Sequence, residues 1–512
     1  MMDRAHSFSR RSVIAGLTGA TATAASGGPA TAADKILRVA ARANPSSLDP
    51  MTGGAGSDHV FLYPIFDTLI GFEPATLEAR PALAESWNAP DDTTLVLNLR
   101  PGILFHDDTP CDARAVKYNL DRSRQSPRSN IRADLDAVEK VDVTGDLQVT
   151  LRLREPNAAL PLTLADRAGM MFSPKAAEEA GDRSNRQPVG AGPWKFVSWA
   201  DNERVTVTRH PRYWTPSKPM LDGIEMSIIT DISTALRSVT SGSNDFIYDL
   251  PPQQKVIVER SGRLASASMP SVYCMLLWFN YGRAPLDDLR VRQAINLAIN
   301  RRDFRRATSL DQWDAATSLL PPTHWAHDPD PAANMSFDPD RAKALLAEAG
   351  HGGGLELNML GYSDQLWVQR EEVLMEQLSK VGIRLRFTVG SVADGSARYF
   401  AQRTGDGLLA AWTGRPDPSL SYSLMFGKDA YFNPSRLEGA PGLEEALRAT
   451  RTASDQQVRK AAFSVVQRMV KDQALFAPLI FQAPLAAYTK RVKGYVPNLL
   501  GKARFDTVQF GA

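Results

Sequence analysis

Gln187-Pro188-Val189-Gly190-Ala191-Gly192-Pro193-Trp194-Lys195-Phe196-Val197-Ser198-Trp199 is the stretch on which the fold reading turns. Gly190 and Gly192, spaced by Ala191 and flanked by Pro188 and Pro193, call for special backbone angles, after which Trp194, Phe196 and Val197 read as a buried strand. A stiff turn feeding a core strand suits a junction between two bodies, and the chain on either side is read that way. An ordinary loop-to-strand junction is the alternative that composition leaves open.

With 512 residues the chain is too long for one hydrophobic core of usual size, so two or three domains are expected. No run of 18 apolar residues occurs that would cross a membrane as a helix. At the start, Ser9-Arg10-Arg11-Ser12-Val13-Ile14 reads as a twin-arginine signal, followed by an apolar, small-residue region from Ala15 to Ala25 and a cleavage site at Ala30-Thr31-Ala32 or after Ala33. Export to the periplasm follows, with the twin-arginine translocase as a partner. No cysteine near the cleavage site offers a lipid attachment point. Removing residues 1 to 33 takes away three arginines and one aspartate, leaving as many basic as acidic groups, which argues against nucleic acid or an anionic membrane as partner.

Cys111 and Cys274 are the two cysteines. The periplasm permits a bond, but they lie in segments assigned to different domains, so two buried free thiols are expected. They fall short of a metal ligand set, and His324 and His327 lie in a proline-flanked loop, so neither a metal nor another cofactor is expected.

Working outward from Gln187, Val205 and Val207, then Ile224, Met226 and Ile228, continue the strands. Upstream, Ile36 to Ala41 is a first strand, the polar glycine-rich loop Thr52 to Ser57 opens an apolar helix from Val60, and a polar loop there can hold a ligand through backbone N–H groups. Thr94 to Leu99 and Leu147 to Leu153 alternate as strands, and Asp112 caps a helix carrying Ala113, Val116 and Leu120. Downstream, Asp287 and Asp288 start a helix with Val291, Ala294, Ile295 and Ala298 on one face, and Asp338-Pro339 starts another that stops at Gly350. Leu374, Met375, Leu378 and Val381 form a further helical stripe. Ile383, Leu385, Phe387 and Val389 follow as a strand, which points to an α/β lobe. A last helix runs through Val458, Ala461, Ala462, Val465, Val466 and Met469, and Phe505 to Phe510 is a terminal strand expected to return to the first body.

Together, Ser47-Leu48-Asp49-Pro50, Pro81 to Trp87, Leu99-Arg100-Pro101-Gly102 with Phe105-His106-Asp107, Pro188 to Trp194, Pro285 to Arg301, Phe337 to Gly350 and Lys493-Gly494-Tyr495-Val496 resemble the family 5 periplasmic solute-binding proteins of peptide and nickel ABC transporters. The resemblance implies a mixed α/β (α+β) two-lobed clamshell with an inserted domain and two crossings between the lobes. Its parts would be residues 1–33 as signal peptide, 34–66, 188–271 and 483–512 as lobe I, 67–187 as the inserted domain, and 272–482 as lobe III. It also implies a monomer that closes on a small-molecule or peptide ligand and meets the permease subunits of an ABC transporter.

By the same resemblance the ligand faces Leu408 to Tyr422. Dipeptide binders carry Trp-Thr-Gly-Asp here, with the aspartate on the peptide's α-ammonium; this chain has Trp412-Thr413-Gly414-Arg415. A guanidinium cannot pair an ammonium, so a carboxylate or phosphate on the ligand is expected at Arg415. The competing assignments are a rim salt bridge from Arg415 to Asp417 and a core-filling role for Trp412. Where the family has an arginine for the ligand carboxylate, this chain has Tyr362, Ser363, Asp364 and Gln365, so Asp364 is the candidate for a cationic end, with Tyr362 and Trp367 beside it. Thr52 and Gly53 complete the candidate ligand set.

An exported hydrolase is the rival class, and a periplasmic sensor or chaperone a third. No Gly-x-Ser-x-Gly or His-Glu-x-x-His occurs, and Gly501-Lys502 lacks the rest of a phosphate loop, while an acid pair among scattered carboxylates stays open.

Overall fold

The computed structural model describes residues 35–53, 55–330 and 336–511. The twin-arginine pattern and its cleavage site lie outside them.

Three large sheets organise the described residues. The first has seven strands in the order Leu264–Ala267, Leu485–Thr489, Phe246–Leu250, Ile36–Ala41, Gly223–Ile228, Arg204–Arg209 and Trp194–Ala200. Ile36–Ala41 is parallel to both neighbours, Gly223–Ile228 and Phe246–Leu250. Two parallel strands flanking a third need a crossover. Helix Ile232–Ser241 supplies it, capped by Asp231 and burying Ala235, Leu236 and Val239 against Ile247 and Ala487.

A second, antiparallel sheet orders Ala84–Asp91, Thr94–Leu99, Gln148–Leu153 and Val138–Gly145. Its helix Ala113–Gln125 begins where the Asp112 side chain accepts from Arg114 N and Ala115 N, and Ala113, Val116 and Leu120 join the strand residues Leu97, Val149 and Leu151 in one core.

In the third sheet the order is Asp314–Ala315, Phe476–Phe481, Cys274–Phe279, Gly407–Trp412, Leu355–Tyr362 and Ile383–Gly390. Alternation along Cys274–Phe279 sends Met275, Leu277 and Phe279 to one face and Cys274, Leu276 and Trp278 to the other, and all six are buried because helices cover both faces. Leu289–Ala298, Pro339–Glu348 and Gln365–Ser379 cover the first face. Pro418–Phe426, Leu443–Thr452 and Gln456–Asp472 cover the second. Asp288 and Asp338 cap their helices as the sequence predicts. Both cysteines are buried and free, Cys111 in the core of the second sheet and Cys274 in that of the third.

The chain passes between the first and third sheets twice, from Leu264–Ala267 to Cys274–Phe279 and back from Phe476–Phe481 to Leu485–Thr489. These two connections run side by side: Ser271 N donates to Gln482 O at 2.9 Å, Gln482 N to Tyr273 O at 2.8 Å, and Ser268 Oγ to Ala483 O at 3.1 Å. A two-lobed α/β molecule with a paired hinge results.

Five sequence expectations change. Gly190 and Gly192 have ordinary negative φ; glycine is required because a Cβ at Gly190 would overlap Ile65 O, and one at Gly192 would lie 2.6 Å from Ile65 C. Close approach of backbones, not a special angle, locks this turn to the helix His59–Ile65. The strand it feeds is an edge strand, so Val197 is exposed. The C-terminal return is made by Leu485–Thr489, whereas of Phe505 to Phe510 only Gln509–Phe510 pairs, with Val492–Lys493; the Phe505 ring still packs in the first lobe. Helix Gln456–Asp472 is rotated from the expected stripe: Val458 and Val465 are exposed, while Arg459, Phe463, Val466, Gln467 and Val470 are buried. A charged residue takes a core-facing position because a buried carboxylate meets it there, which hydrophobic periodicity does not register. Met375 and Val389 also face solvent.

Candidate functional site

Strand Gly407–Trp412 lies in the middle of the third sheet and ends at the hinge. Gly414 follows with φ 69°, and a Cβ there would overlap the Val272 side chain, so the loop turns tightly against the first crossing. The turn presents Arg415. Its Nη1 donates to Gly414 O at 3.0 Å, its Cζ lies 5.5 Å from the centre of the Trp412 ring, and among the described residues no carboxylate pairs with it. Trp412 is buried against Trp278 and Phe432, with ring centres 6.1 and 5.2 Å away. It acts as a platform beneath the guanidinium. Thr413 is exposed.

Asp417 has another partner. Its carboxylate, fully buried, accepts from Arg459 Nη2 at 2.8 and 2.9 Å and from Ser419 N and Oγ at 2.9 and 2.6 Å, capping helix Pro418–Phe426. That removes both the rim bridge to Arg415 and a ligand contact at Asp417. Arg459 is held further by Thr450 O at 2.8 Å and by Ala158 O, on the second-sheet body, at 3.2 Å.

On the facing lobe, Thr52 N and Gly53 N both donate to Asp49 O at 3.1 Å, so neither amide is offered to a ligand. The loop's carbonyls are taken too: Thr52 O accepts from Asn130 Nδ2 at 2.7 Å, and Gly53 O and Ala55 O accept from the Arg167 guanidinium. Arg167 in turn pairs with buried Asp58 at 3.2 Å. Thr52 and Gly53 therefore belong to a loop that is closed on itself.

Beside this loop lies a charge cluster that no motif announced. His59 Nε2 is 2.6 Å from Asp166 Oδ1, Lys502 Nζ donates to Asp166 Oδ2 at 3.3 Å and lies 3.0 Å from His59 Nε2, and His59 Nδ1 meets Gly56 O at 3.0 Å. Burial alone would raise the Asp166 carboxyl; Lys502 and His59 override it and hold it well below the usual range. Burial and the Lys502 charge lower the His59 imidazole, and burial lowers the Lys502 ammonium against the pull of Asp166. Tyr273, on the first crossing, reaches the same loop: a Cβ on Gly56 would sit 3.7 Å from its hydroxyl.

Tyr362 ends strand Leu355–Tyr362, shares the Trp412 core cluster, and packs edge-on against Trp367 at 5.1 Å. Its hydroxyl is 3.2 Å from Ser396 Oγ. Asp364 caps helix Gln365–Ser379 by accepting from Leu366 N at 3.0 Å and is otherwise exposed. The helix start accounts for Asp364, and Trp367 lies under Arg370, 4.9 Å away.

An unpaired guanidinium thus stands beside the paired hinge between the lobes. The family model "Bacterial extracellular solute-binding proteins, family 5 Middle" matches residues 78–433. The chain belongs to this family. It is 26% identical over 480 residues to the glutathione-binding protein GsiB of Salmonella paratyphi A, covering 91% of this chain and 93% of that one. With GsiB of Escherichia coli O1:K1 it shares 28% over 493 residues, 93% and 94% of the two chains. Among solved structures, the ABC transporter substrate-binding protein CtaP of Listeria monocytogenes superposes with TM-score 0.83 at 20% identity, covering 93% and 99%. A dipeptide-binding protein from a Pseudoalteromonas species, in complex with Met-Leu, gives 0.77 at 22% over 93% and 100%. This family 5 protein therefore has the two-lobed binding-protein fold, and no helix among its described residues is long and apolar enough to cross a membrane.

Proposed function

We propose that this family 5 protein is the periplasmic solute-binding component of an ABC importer, exported by the twin-arginine route, and that it closes on a peptide-like solute whose anionic group lies at Arg415. The observation that carries this reading is the unpaired Arg415 guanidinium, fixed by Gly414 O and stacked over Trp412 at the mouth of the hinge. A cation so held has given up little conformational freedom when the solute arrives, and its planar fork suits a carboxylate. Relatives named for binding glutathione and a dipeptide agree with a small peptide-like cargo. The two crossings let the lobes rotate about one paired hinge, and the solute stabilises the shut form by touching both.

The test is mass spectrometry of the solute that co-purifies from periplasm, followed by calorimetric titration of that solute into wild type and Arg415→Gln. The solute is expected to return chemically intact and to bind the variant at least tenfold more weakly. A cleaved solute, or equal affinity, removes this reading.

A further inference from the structure

An anion at Arg415 leaves the opposite end of the solute's charge without a partner, because Asp364 caps its helix and Asp417 is sealed by Arg459. Asp134 is a carboxylate open to that role. Asp134 sits on the turn Ala133–Leu135, whose Leu135 is anchored in the second-sheet core. The segment just before it is tied to the cleft loop: Asn130 N donates to Met51 O at 2.9 Å and Asn130 Nδ2 to Thr52 O at 2.7 Å. That same loop meets Tyr273 at Gly56, and the neighbouring Val272 is the residue against which Gly414 turns. The loop is thus bracketed by the Asp134 segment on one edge and by the base of the Arg415 turn on the other. Through this one loop the Asp134 segment and the base of the Arg415 turn are linked.

Their charges act on each other without touching. Burial raises the Asp134 carboxyl and Arg415 is the leading group pulling it back, ahead of Arg167 and Lys502. Of these cations, Arg167 is paired with Asp58 and Lys502 with Asp166, whereas no ion pair joins Arg415 to any described residue. The Asp134 backbone N donates to Ile131 O at 3.1 Å, but its carboxylate has no hydrogen bond or ion pair among the described residues, although it is only part-exposed. A carboxylate partly withdrawn from water and without a hydrogen-bond donor is better stabilised when a cationic donor reaches it.

Building on the anion at Arg415, we infer that Asp134, on the inserted body, takes the ammonium of the solute, so that the cargo is zwitterionic: an amino acid derivative or short peptide with its amino group free. Relative to dipeptide binders that place an aspartate at the Arg415 position, the polarity of the site is reversed, with the anion on the third-sheet lobe and the cation on the inserted body.

Four probes test this by titration calorimetry: glutathione, Met-Leu, and the N-acetylated form of each. The wild type is expected to bind at least one free-amino probe and to bind its acetylated form at least tenfold more weakly. Asp134→Asn should weaken the free-amino probe at least tenfold and leave the acetylated one unchanged, so that the acetylation penalty disappears, and Asp134→Glu should restore part of it. Equal binding of both forms by the wild type, a penalty that survives in Asp134→Asn, or binding of none of the four probes overturns the inference. Arg415→Gln separates the two readings: if it weakens both forms while Asp134→Asn weakens neither, the anion site stands and the ammonium site falls.

Discussion

Replacing Arg459 by Met leaves the Asp417 carboxylate fully buried with only the Ser419 N and Oγ bonds at 2.9 and 2.6 Å. Truncating one partner of a buried pair costs about 3–5 kcal/mol, because the other charge is stranded. If the third-sheet lobe, roughly 210 residues, unfolds as one unit, its unfolding entropy of about 2.1 cal/mol/K per residue sums to roughly 0.44 kcal/mol/K. The lobe's transition should therefore fall by about 7–11 °C in differential scanning calorimetry. The effect reaches the solute too, since Asp417 ends the Trp412–Arg415 turn, and affinity should drop with stability. Removing both charges, Arg459→Met with Asp417→Leu, should recover more than half of the loss, because no group is then left unpaired. A single variant within about 1 kcal/mol of wild type, or a double variant no more stable than the single, refutes the reasoning.

Gly414→Ala forces a side chain at φ 69° into Val272; a loss of about 1–3 kcal/mol and at least tenfold weaker solute binding are expected by chemical denaturation and titration. Gly190→Ala should be at least as damaging to stability, since its Cβ would overlap Ile65 O, while Gly102→Ala, with open space around it at φ 75°, should cost only about 1 kcal/mol. Burial raises the Asp67 carboxyl to about 6, against bonds from Trp214 Nε1 at 2.6 Å and Tyr213 Oη at 2.8 Å. Its folded value lies above the unfolded one, so its contribution is complete below about pH 4 and is lost as pH rises through about 6, up to about 3 kcal/mol. Asp67→Asn should flatten that part of the stability profile, and an unchanged profile would count against it. Lys502→Met removes a cation that depresses the His59 imidazole, so the His59 NMR titration midpoint should move up; no movement would place Lys502 outside the cluster.

Local signals were legible in the sequence wherever one short segment carries the whole cause. Strand Ile36–Ala41 and the helices begun by Asp112, Asp288 and Asp338 follow from periodicity and capping, which depend on residues a turn or two apart. The two-lobed family architecture was legible from seven separated motifs, and Arg415 from a single departure in the Leu408 to Tyr422 stretch that the resemblance assigns to the ligand. Helix Gln456–Asp472 was misphased because its buried face carries Arg459 and Gln467, whose burial depends on Asp417 and Ala326, each more than 40 residues away. The same distance hid the cleft's charges: His59, Asp134, Asp166 and Lys502 come from four segments, and nothing near any one of them in the chain marks it as facing the others. Only the folded chain decides which charges are paired and which are left for a solute, because pairing is set by closeness in space while the sequence orders residues by closeness along the chain.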